Sequence, residues 1–350
     1  MTGPDRPADA AGSIPPPDGD PGPPADAADP SSARPGLRTF TVEGRAAPGL
    51  FVLGWLAFIM GGALLFVAFL AGVGRTAALV LAVVGLALLS LGLVAGAGSQ
   101  AIERRKRATT SSYPGPSPFL VFAASVPVSI LAVTIVAAPL VALGLDTESP
   151  AATLISVAIQ ALVYIGLIRL LVVGTGALGW RDMGIGGRPT VDLVRDVAWG
   201  VVLALPVIAI TSIVAGLLAL VLPLPDSPLP PSGGGGGLAF NFVAAAVMAP
   251  IGEETFFRGF TTTAWSRTMS LRAAVLRAAI FFAAVHVLTV GGADFADAAG
   301  RALFAFTTRL PVAIALGWLF VERRSLAAPI ALHATFNGLL VLIAGSVSAG

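Results

Sequence analysis

The sequence predicts an all-α fold, a polytopic transmembrane helix bundle of about nine spans, with eight as the alternative count, behind a disordered N-terminal tail. Of its 350 residues 56% are hydrophobic and only 11% are charged, and the mean hydropathy is +0.88. Soluble domains carry about 25% charged residues, so this composition indicates a protein embedded in a bilayer. Apolar runs begin near Leu50 and recur to the end of the chain, each with the roughly 20 residues that a bilayer requires.

Charge and cysteine content exclude several other classes of protein. The formal net charge is +2 and the pI about 9.6, yet the arginines cluster at the ends of the apolar runs and form no lysine-rich basic face. We therefore expect no nucleic-acid partner. Because the sequence has no cysteine, disulfides, thiolate nucleophiles and sulfur-ligated metal sites are excluded.

Residues 1–48 are predicted to be a disordered cytoplasmic tail. The first 36 residues hold ten prolines and six aspartates, with hardly any large apolar side chain. Such a segment buries too little surface to offset the entropy lost on ordering. It also lacks the basic start and apolar core of a signal peptide, so we expect no export of this segment.

Nine apolar runs define the predicted spans, at 50–73, 76–98, 117–143, 150–178, 197–223, 238–264, 271–290, 302–321 and 325–347. The first five make up an N-terminal transmembrane part, residues 49–223. A Gly/Pro-rich linker at 224–237, with five consecutive glycines, separates it from a second transmembrane part at 238–347.

The cationic residues at the ends of the spans predict the orientation. With a cytoplasmic N-terminus and nine spans, thirteen of them face the cytoplasm, from Arg38 to Arg324, and only Arg75 and Arg301 face outward. Positive charge accumulates on the cytoplasmic side of membrane proteins. We therefore expect an integral protein of the plasma membrane with an external C-terminus.

Ionisable residues inside the apolar runs mark the candidate site. Glu253 and Glu254 are the only acids deep in such a run, and both histidines of the chain, His286 and His333, also lie in runs of the second part. Each ionisable group in a span costs about 2.5–3.5 kcal/mol on insertion scales, so such groups are usually retained for function.

Helical spacing separates the two glutamates. Glu254 and Arg258 are four residues apart and can form an ion pair, whereas Glu253 points about 100° away, toward a different space. Pro250 frees a backbone carbonyl one turn back and Gly252 permits close helix approach. The site is therefore expected at an interruption of its helix.

The histidines are expected to complete one polar pocket with Glu253. His286 shares a helix face with Phe282, and His333 shares one with Asn337. Counting about 1.5 Å per residue from the ends of the spans places these groups at similar depth near the middle of the membrane.

These residues resemble the motifs of a known family. Glu-Glu-x-x-x-Arg at 253–258, Phe-x-x-x-His at 282–286 and His-x-x-x-Asn at 333–337 occur in the order found in the CPBP family. This is the CAAX prenyl protease and bacteriocin-processing family, also called Abi, of intramembrane peptidases. The resemblance covers about residues 238–345.

The resemblance implies a division of roles within an endopeptidase. Glu253 would activate a water molecule as general base, with His286 orienting it, and His333 and Asn337 would donate hydrogen bonds to the oxyanion. Glu254 with Arg258 would support the helix interruption and its charge. The substrate would be a membrane-associated peptide or protein, and the bilayer lipid is the other expected partner.

A metal site is the alternative chemistry. Glu253, His286 and His333 are a two-histidine, one-carboxylate set compatible with Zn²⁺ and an open water position. The compact His-Glu-x-x-His pattern is absent, so the sequence does not require zinc. We favour a site that needs no cofactor and keep zinc as the alternative.

Two interpretations are open for Arg309, and two functions other than peptide hydrolysis are open for the chain. Arg309, within the eighth run, either bonds within the bundle or binds a substrate carboxylate. The alternative to a peptidase is a non-catalytic membrane scaffold or a bacteriocin-immunity or maturation protein of the same fold. A proton-coupled transporter ranks last, since buried glutamates and histidines also build proton relays.

Overall fold

Nine helices make up the part of the chain that the structure describes, and no residue in that part forms a strand. The structure is a computed structural model that describes residues 42, 44–70, 74–108 and 112–348. The helices are α1 (Pro48–Leu70), α2 (Arg75–Arg107), α3 (Pro118–Ala142), α4 (Pro150–Val173), α5 (Thr190–Leu218), α6 (Gly235–Ser266), α7 (Leu271–Val285), α8 (Phe295–Arg323) and α9 (Ala327–Ser348). The predicted all-helical fold is confirmed, while most of the predicted tail, including Arg38, lies outside the described residues.

Eight of these nine helices are long and apolar enough to cross a membrane. The exception is α7, which replaces the span predicted at 271–290 with a helix of 15 residues. At about 1.5 Å per residue it reaches roughly 22 Å, short of the hydrocarbon thickness of about 30 Å. The prediction of a full-length seventh span is therefore wrong, and the alternative count of eight is the correct one for long helices.

His286 explains why α7 ends early. In a continuing α-helix the carbonyl of Phe282 would accept the backbone N–H of residue 286. Here the side-chain Nδ1 of His286 lies 2.7 Å from that carbonyl oxygen, and the backbone N–H of His286 turns to Ala284 instead. The histidine therefore replaces the last helical hydrogen bond, and residues 286–294 continue without helix.

Ion pairs show which loops share an end of the bundle. Arg267 pairs with Asp182, and Asp196 pairs with both Arg188 and Arg323. These contacts bring together the segments after α4, α6 and α8, at what we call the arginine-rich end. The charge count placed the same segments on one side.

The other end of the bundle is fixed by Arg301, which pairs with Asp226 at 3.1 Å. The chain leaves α6 at the arginine-rich end and enters α8 at this opposite end, so residues 267–294 must pass between the two ends. Helix α7 and the non-helical residues 286–294 together make that passage.

Helix α6 lies at the centre of the packing and carries the candidate site. Its stretch Thr255–Thr262 is entirely buried, and Phe256, Phe257 and Phe260 join the largest apolar cluster together with Tyr164 of α4. Helix α9 packs against both α5 and α6. These neighbours hold α6 in place from several sides.

Candidate active site

The two glutamates lie on an interrupted part of α6. A short α-helical stretch, Ala249–Glu254, is flanked by π-helical segments at Ala244–Met248 and Thr255–Thr262. Single π turns inside α-helices are frequent at functional sites because they re-aim side chains and free backbone groups. The interruption expected at Pro250 is present in this form.

Asn337 binds the carbonyl that Pro250 leaves free. In the π segment the N–H of Ala249 bonds to the carbonyl of Ala244, five residues back. The next N–H in this register would come from Pro250, which has none, and would have met the carbonyl of Ala245. Asn337 Nδ2 donates to that oxygen at 2.9 Å. Asn337 therefore ties α9 to α6 at the interruption.

Close helix contact at Gly252 was also expected, and it occurs against α4. A Cβ atom on Gly252 would lie 2.7 Å from the Cα of Ala161. That is closer than real Cβ atoms approach, so only glycine allows α4 and α6 to meet at this level. The contact presses the helix carrying both glutamates against the N-terminal part of the bundle.

Glu254 is neutralised by two partners in the interior. Its Oε1 accepts from Arg258 Nη1 at 2.9 Å and lies 2.8 Å from His333 Nδ1, and its side chain is 0% exposed. Arg258 also donates to the carbonyl of Ala313 on α8 at 3.1 Å and stacks on the ring of Phe282 at 4.4 Å. Burying a charge is tolerable only when it is paired in this way.

Glu253 faces a different space, as the helical spacing predicted. Its side chain is 19% exposed, and its Oε2 lies 3.8 Å from His286 Nε2 and 4.0 Å from His333 Nε2. The carboxylate and both imidazoles therefore converge on one point with room for a small group between them. Of the two adjacent acids, Glu253 is the one available for chemistry.

The partners of the two imidazoles define which nitrogen faces Glu253 as an acceptor. In each ring Nδ1 has an oxygen partner, the carbonyl of Phe282 for His286 and the carboxylate of Glu254 for His333. An imidazole that donates from Nδ1 carries a lone pair on Nε2 in its neutral form. In that neutral form each Nε2 can accept a hydrogen bond, and a water molecule that donates one hydrogen to Glu253 has one left for a single imidazole.

The same three residues were the alternative zinc ligands. Ligands of a tetrahedral zinc ion, each at about 2.1 Å, lie roughly 3.4 Å from one another, and the separations of 3.8 and 4.0 Å are wider. Among the residues that the structure describes, no group of three or more histidine or acidic side chains is arranged to hold a metal ion. The three side chains would have to move closer together before they could bind a zinc ion.

Arg309 of α8 lies beside this site. Its Nη1 donates to the carbonyl of Ala305 within its own helix at 2.9 Å, and its charge interacts with Glu253 and with His286. It also stands four residues from Ala313, whose carbonyl accepts from Arg258, so both residues lie on the face of α8 toward the site. The bond to Ala305 is the kind of bond within the bundle that the sequence allowed for.

Part of the chain matches a family of known proteins. Residues 235–339 match the family model described as type II CAAX prenyl endopeptidase Rce1-like. The resemblance drawn from the three motifs is confirmed. The matched segment is under a third of the 350-residue chain and runs from the start of α6 into α9. No curated protein and no solved structure matches the chain.

The Rce1-like match supports a peptidase in general, and the eight long apolar helices support an integral membrane protein. The match includes every residue of the predicted site: Glu253, Glu254, Arg258, His286, Arg309, His333 and Asn337. It leaves open whether the catalytic group is a glutamate or a metal ion.

Sequence reasoning missed several contacts of the Rce1-like segment. His333 was expected to serve the oxyanion, and its bond to Glu254 was not foreseen. Tyr164 of α4 packs against Phe256 of α6, with ring centroids 4.8 Å apart, although it lies far outside the matched segment. A tyrosine in an apolar run gives no signal of that position. The Glu254–Arg258 pair and the freed carbonyl at Pro250 were both visible in the spacing.

Proposed function

We propose that this chain is an intramembrane endopeptidase that hydrolyses a peptide bond of a membrane-associated protein or peptide with water activated by Glu253. The observation that carries the proposal is the convergence of Glu253 Oε2 with the Nε2 atoms of His286 and His333 at 3.8 and 4.0 Å. Separations near 4 Å suit a water molecule that makes hydrogen bonds of about 2.8 Å to each group.

Glu253 is the general base of the proposed reaction. It takes one proton from the water while the water oxygen bonds to the carbonyl carbon of the substrate. His286 Nε2 accepts the second hydrogen of the water and so orients its lone pair. When the tetrahedral intermediate collapses, the carbon–nitrogen bond breaks and Glu253 returns its proton to the leaving amine.

His333 and Asn337 stabilise the oxyanion of the intermediate. His333 donates from Nε2 only as an imidazolium, because its Nδ1 is engaged with Glu254. Because Glu254 already compensates Arg258, the countercharge for that form is the Glu253 carboxylate before the water is deprotonated and the oxyanion afterwards. Asn337 uses one amide hydrogen for Ala245, which leaves its second hydrogen for the oxyanion.

Arg309 is proposed to bind a carbonyl or carboxylate oxygen of the substrate. Its bond to Ala305 uses Nη1 alone, and a guanidinium has five N–H donors in a planar fork. The site lies between helices of a bundle, so its substrate reaches it from the bilayer. We further propose a plasma-membrane location with the arginine-rich end in the cytoplasm, an external C-terminus and no need for a metal cofactor.

A comparison of membrane peptides tests the proposal even while the substrate is unidentified. Membranes from cells carrying the wild-type chain and cells carrying Glu253→Gln are compared by mass spectrometry of protein fragments. The proposal predicts fragments that appear only with the wild type and that share one cleavage position. Identical fragment sets would favour the non-catalytic scaffold or immunity protein, and would refute a peptidase that depends on Glu253.

A further inference from the structure

A cavity opens at the arginine-rich end of the bundle, on the side of α6 opposite Glu253. It measures about 610 Å³, within the range of about 300–1,000 Å³ typical of ligand sites. We call it the rear groove. Helices α4, α5, α6 and α9 and the segment after α4 form its walls, with Ile165, Trp180, Leu193, Ile251, Thr255 and Ile330 among its lining residues.

The lining of the rear groove is mostly apolar. Its apolar side chains include Ile165 of α4, Ile251 of α6, Leu193 of α5 and Ile330 of α9, of which Ile251 and Leu193 are 38% exposed. Thr255 adds a hydroxyl that is already bonded to the carbonyl of Ile251 at 2.7 Å. Such walls suit a hydrocarbon chain and offer little to a polar ligand.

The mouth of the rear groove, in contrast, is positively charged. Arg181 follows the lining residue Trp180, and Arg324 precedes the lining residue Ser325; both arginines are exposed. The Arg181 side chain runs toward the backbone of Gly187, beside the groove residue Gly186. A tryptophan and arginines at one level are typical of the boundary between hydrocarbon and headgroups.

Acidic residues near the mouth are mostly committed to other arginines. Asp182 pairs with Arg267 at 3.5 Å and Asp192 with Arg195 at 3.8 Å, while the buried Asp196 is shared by two arginines. The exposed Glu322 offsets one positive charge. The mouth keeps a positive balance, to which the N-terminus of α9 at Ala327 adds its dipole.

The position of the groove separates it from the peptidase site. Ile251 and Thr255 stand two residues before and after Glu253, so each points roughly 160–200° away from it on the helix. A chain that occupied the groove would have α6 between itself and the Glu253 carboxylate. The occupant is therefore a different molecule from the peptide that Glu253 would attack.

We propose that the rear groove binds an anionic phospholipid, with one acyl chain between α4, α5, α6 and α9 and the phosphate held by Arg181 and Arg324. Basic pockets between membrane helices recognise anionic headgroups in this way. Because Ile251 and Ile330 lie on the helices that carry Glu253 and His333, the lipid also braces the site from behind. The proposal does not depend on peptide hydrolysis.

Native mass spectrometry of the full chain in detergent tests this inference. The probes are phosphatidylglycerol and phosphatidylcholine with identical acyl chains. The wild type is expected to retain one phosphatidylglycerol about tenfold or more tightly than phosphatidylcholine. The double variant Arg181→Gln/Arg324→Asn should lose that preference; asparagine is chosen because residue 324 has a left-handed backbone with φ of 50°.

Two controls make the outcome decisive. Lys106→Gln/Arg272→Gln removes the same charge from exposed residues at the same end, away from the groove, and should keep the wild-type preference. Leu193→Trp fills the groove from α5 and should weaken retention of both lipids. An equal loss of the preference for phosphatidylglycerol in the two double variants would overturn the proposal. So would full retention of both lipids by Leu193→Trp, or displacement of the bound lipid by a membrane peptide.

Discussion

His333 Nδ1 lies 2.8 Å from Glu254 Oε1, the same oxygen that accepts from Arg258 at 2.9 Å. One carboxylate thus holds a histidine of α9 and an arginine of its own helix. Its neighbour Glu253 has no such partner at bonding distance among the residues that the structure describes, and it faces the Nε2 atoms of both histidines. Adjacent glutamates therefore have different partners, because helical geometry points them in different directions.

The first prediction concerns stability. Glu254→Gln removes the charge that compensates the buried guanidinium of Arg258, and breaking a buried ion pair from one side costs about 3–5 kcal/mol. We expect a loss of that order in the free energy of unfolding, measured by denaturant titration in detergent. Glu253→Gln is the matched control, expected within about 1 kcal/mol of wild type because its side chain is partly exposed. Equal losses in the two variants would contradict the assignment.

Much of this site could be predicted from the sequence because its local geometry is helical. Glu254 can pair with Arg258 because the two are four residues apart on a helix. Glu253 points in a different direction because one residue turns the helix by about 100°. The freed carbonyl follows from the chemistry of Pro250. These features need only the positions of residues along a single helix.

The remaining features depend on contacts between helices, which spacing does not specify. His333 reaches Glu254 only because α9 packs against α6 at one particular rotation. The early end of α7 depends on a side-chain bond of His286 that an apolar run does not reveal. Hydropathy therefore predicted a full span where the chain forms a short helix.

The second prediction tests how Asn337 supports the interruption of α6. Asn337→Ala leaves the carbonyl of Ala245 without its donor, which should cost about 1–3 kcal/mol of stability. Pro250→Ala restores a backbone N–H that can reach that carbonyl from within α6. In a double-mutant cycle, Asn337→Ala should therefore cost less in the Pro250→Ala background. Strictly additive free energies of unfolding would show that the two groups do not share this oxygen.

The third prediction concerns substrate binding by Arg309. Its bond within the structure is to a carbonyl of its own helix, so Arg309→Gln should leave the thermal midpoint close to wild type. Loss of a charge-assisted hydrogen bond to substrate should raise KM roughly tenfold or more. Arg309→Lys keeps the charge and should recover part of the loss. An unchanged KM in Arg309→Gln would restrict this residue to its intrahelical bond.

The fourth prediction concerns metal. Because the carboxylate and the imidazoles stand wider apart than zinc ligands do, we expect purified, active protein to contain less zinc than one ion per chain. Cleavage should persist after incubation with a chelator such as 1,10-phenanthroline. Stoichiometric zinc, together with activity that is lost on chelation and restored by added zinc, would establish the metal mechanism instead.

The most direct test of the central claim is cleavage by the purified chain in lipid vesicles, using a membrane peptide from the fragment comparison as substrate. Glu253→Gln should lower kcat/KM about 100- to 10,000-fold, the usual contribution of a general base. Glu148→Gln, the same change at an exposed position, should leave kcat/KM unchanged. Equal cleavage by wild type and Glu253→Gln would contradict the claim that Glu253 activates the water.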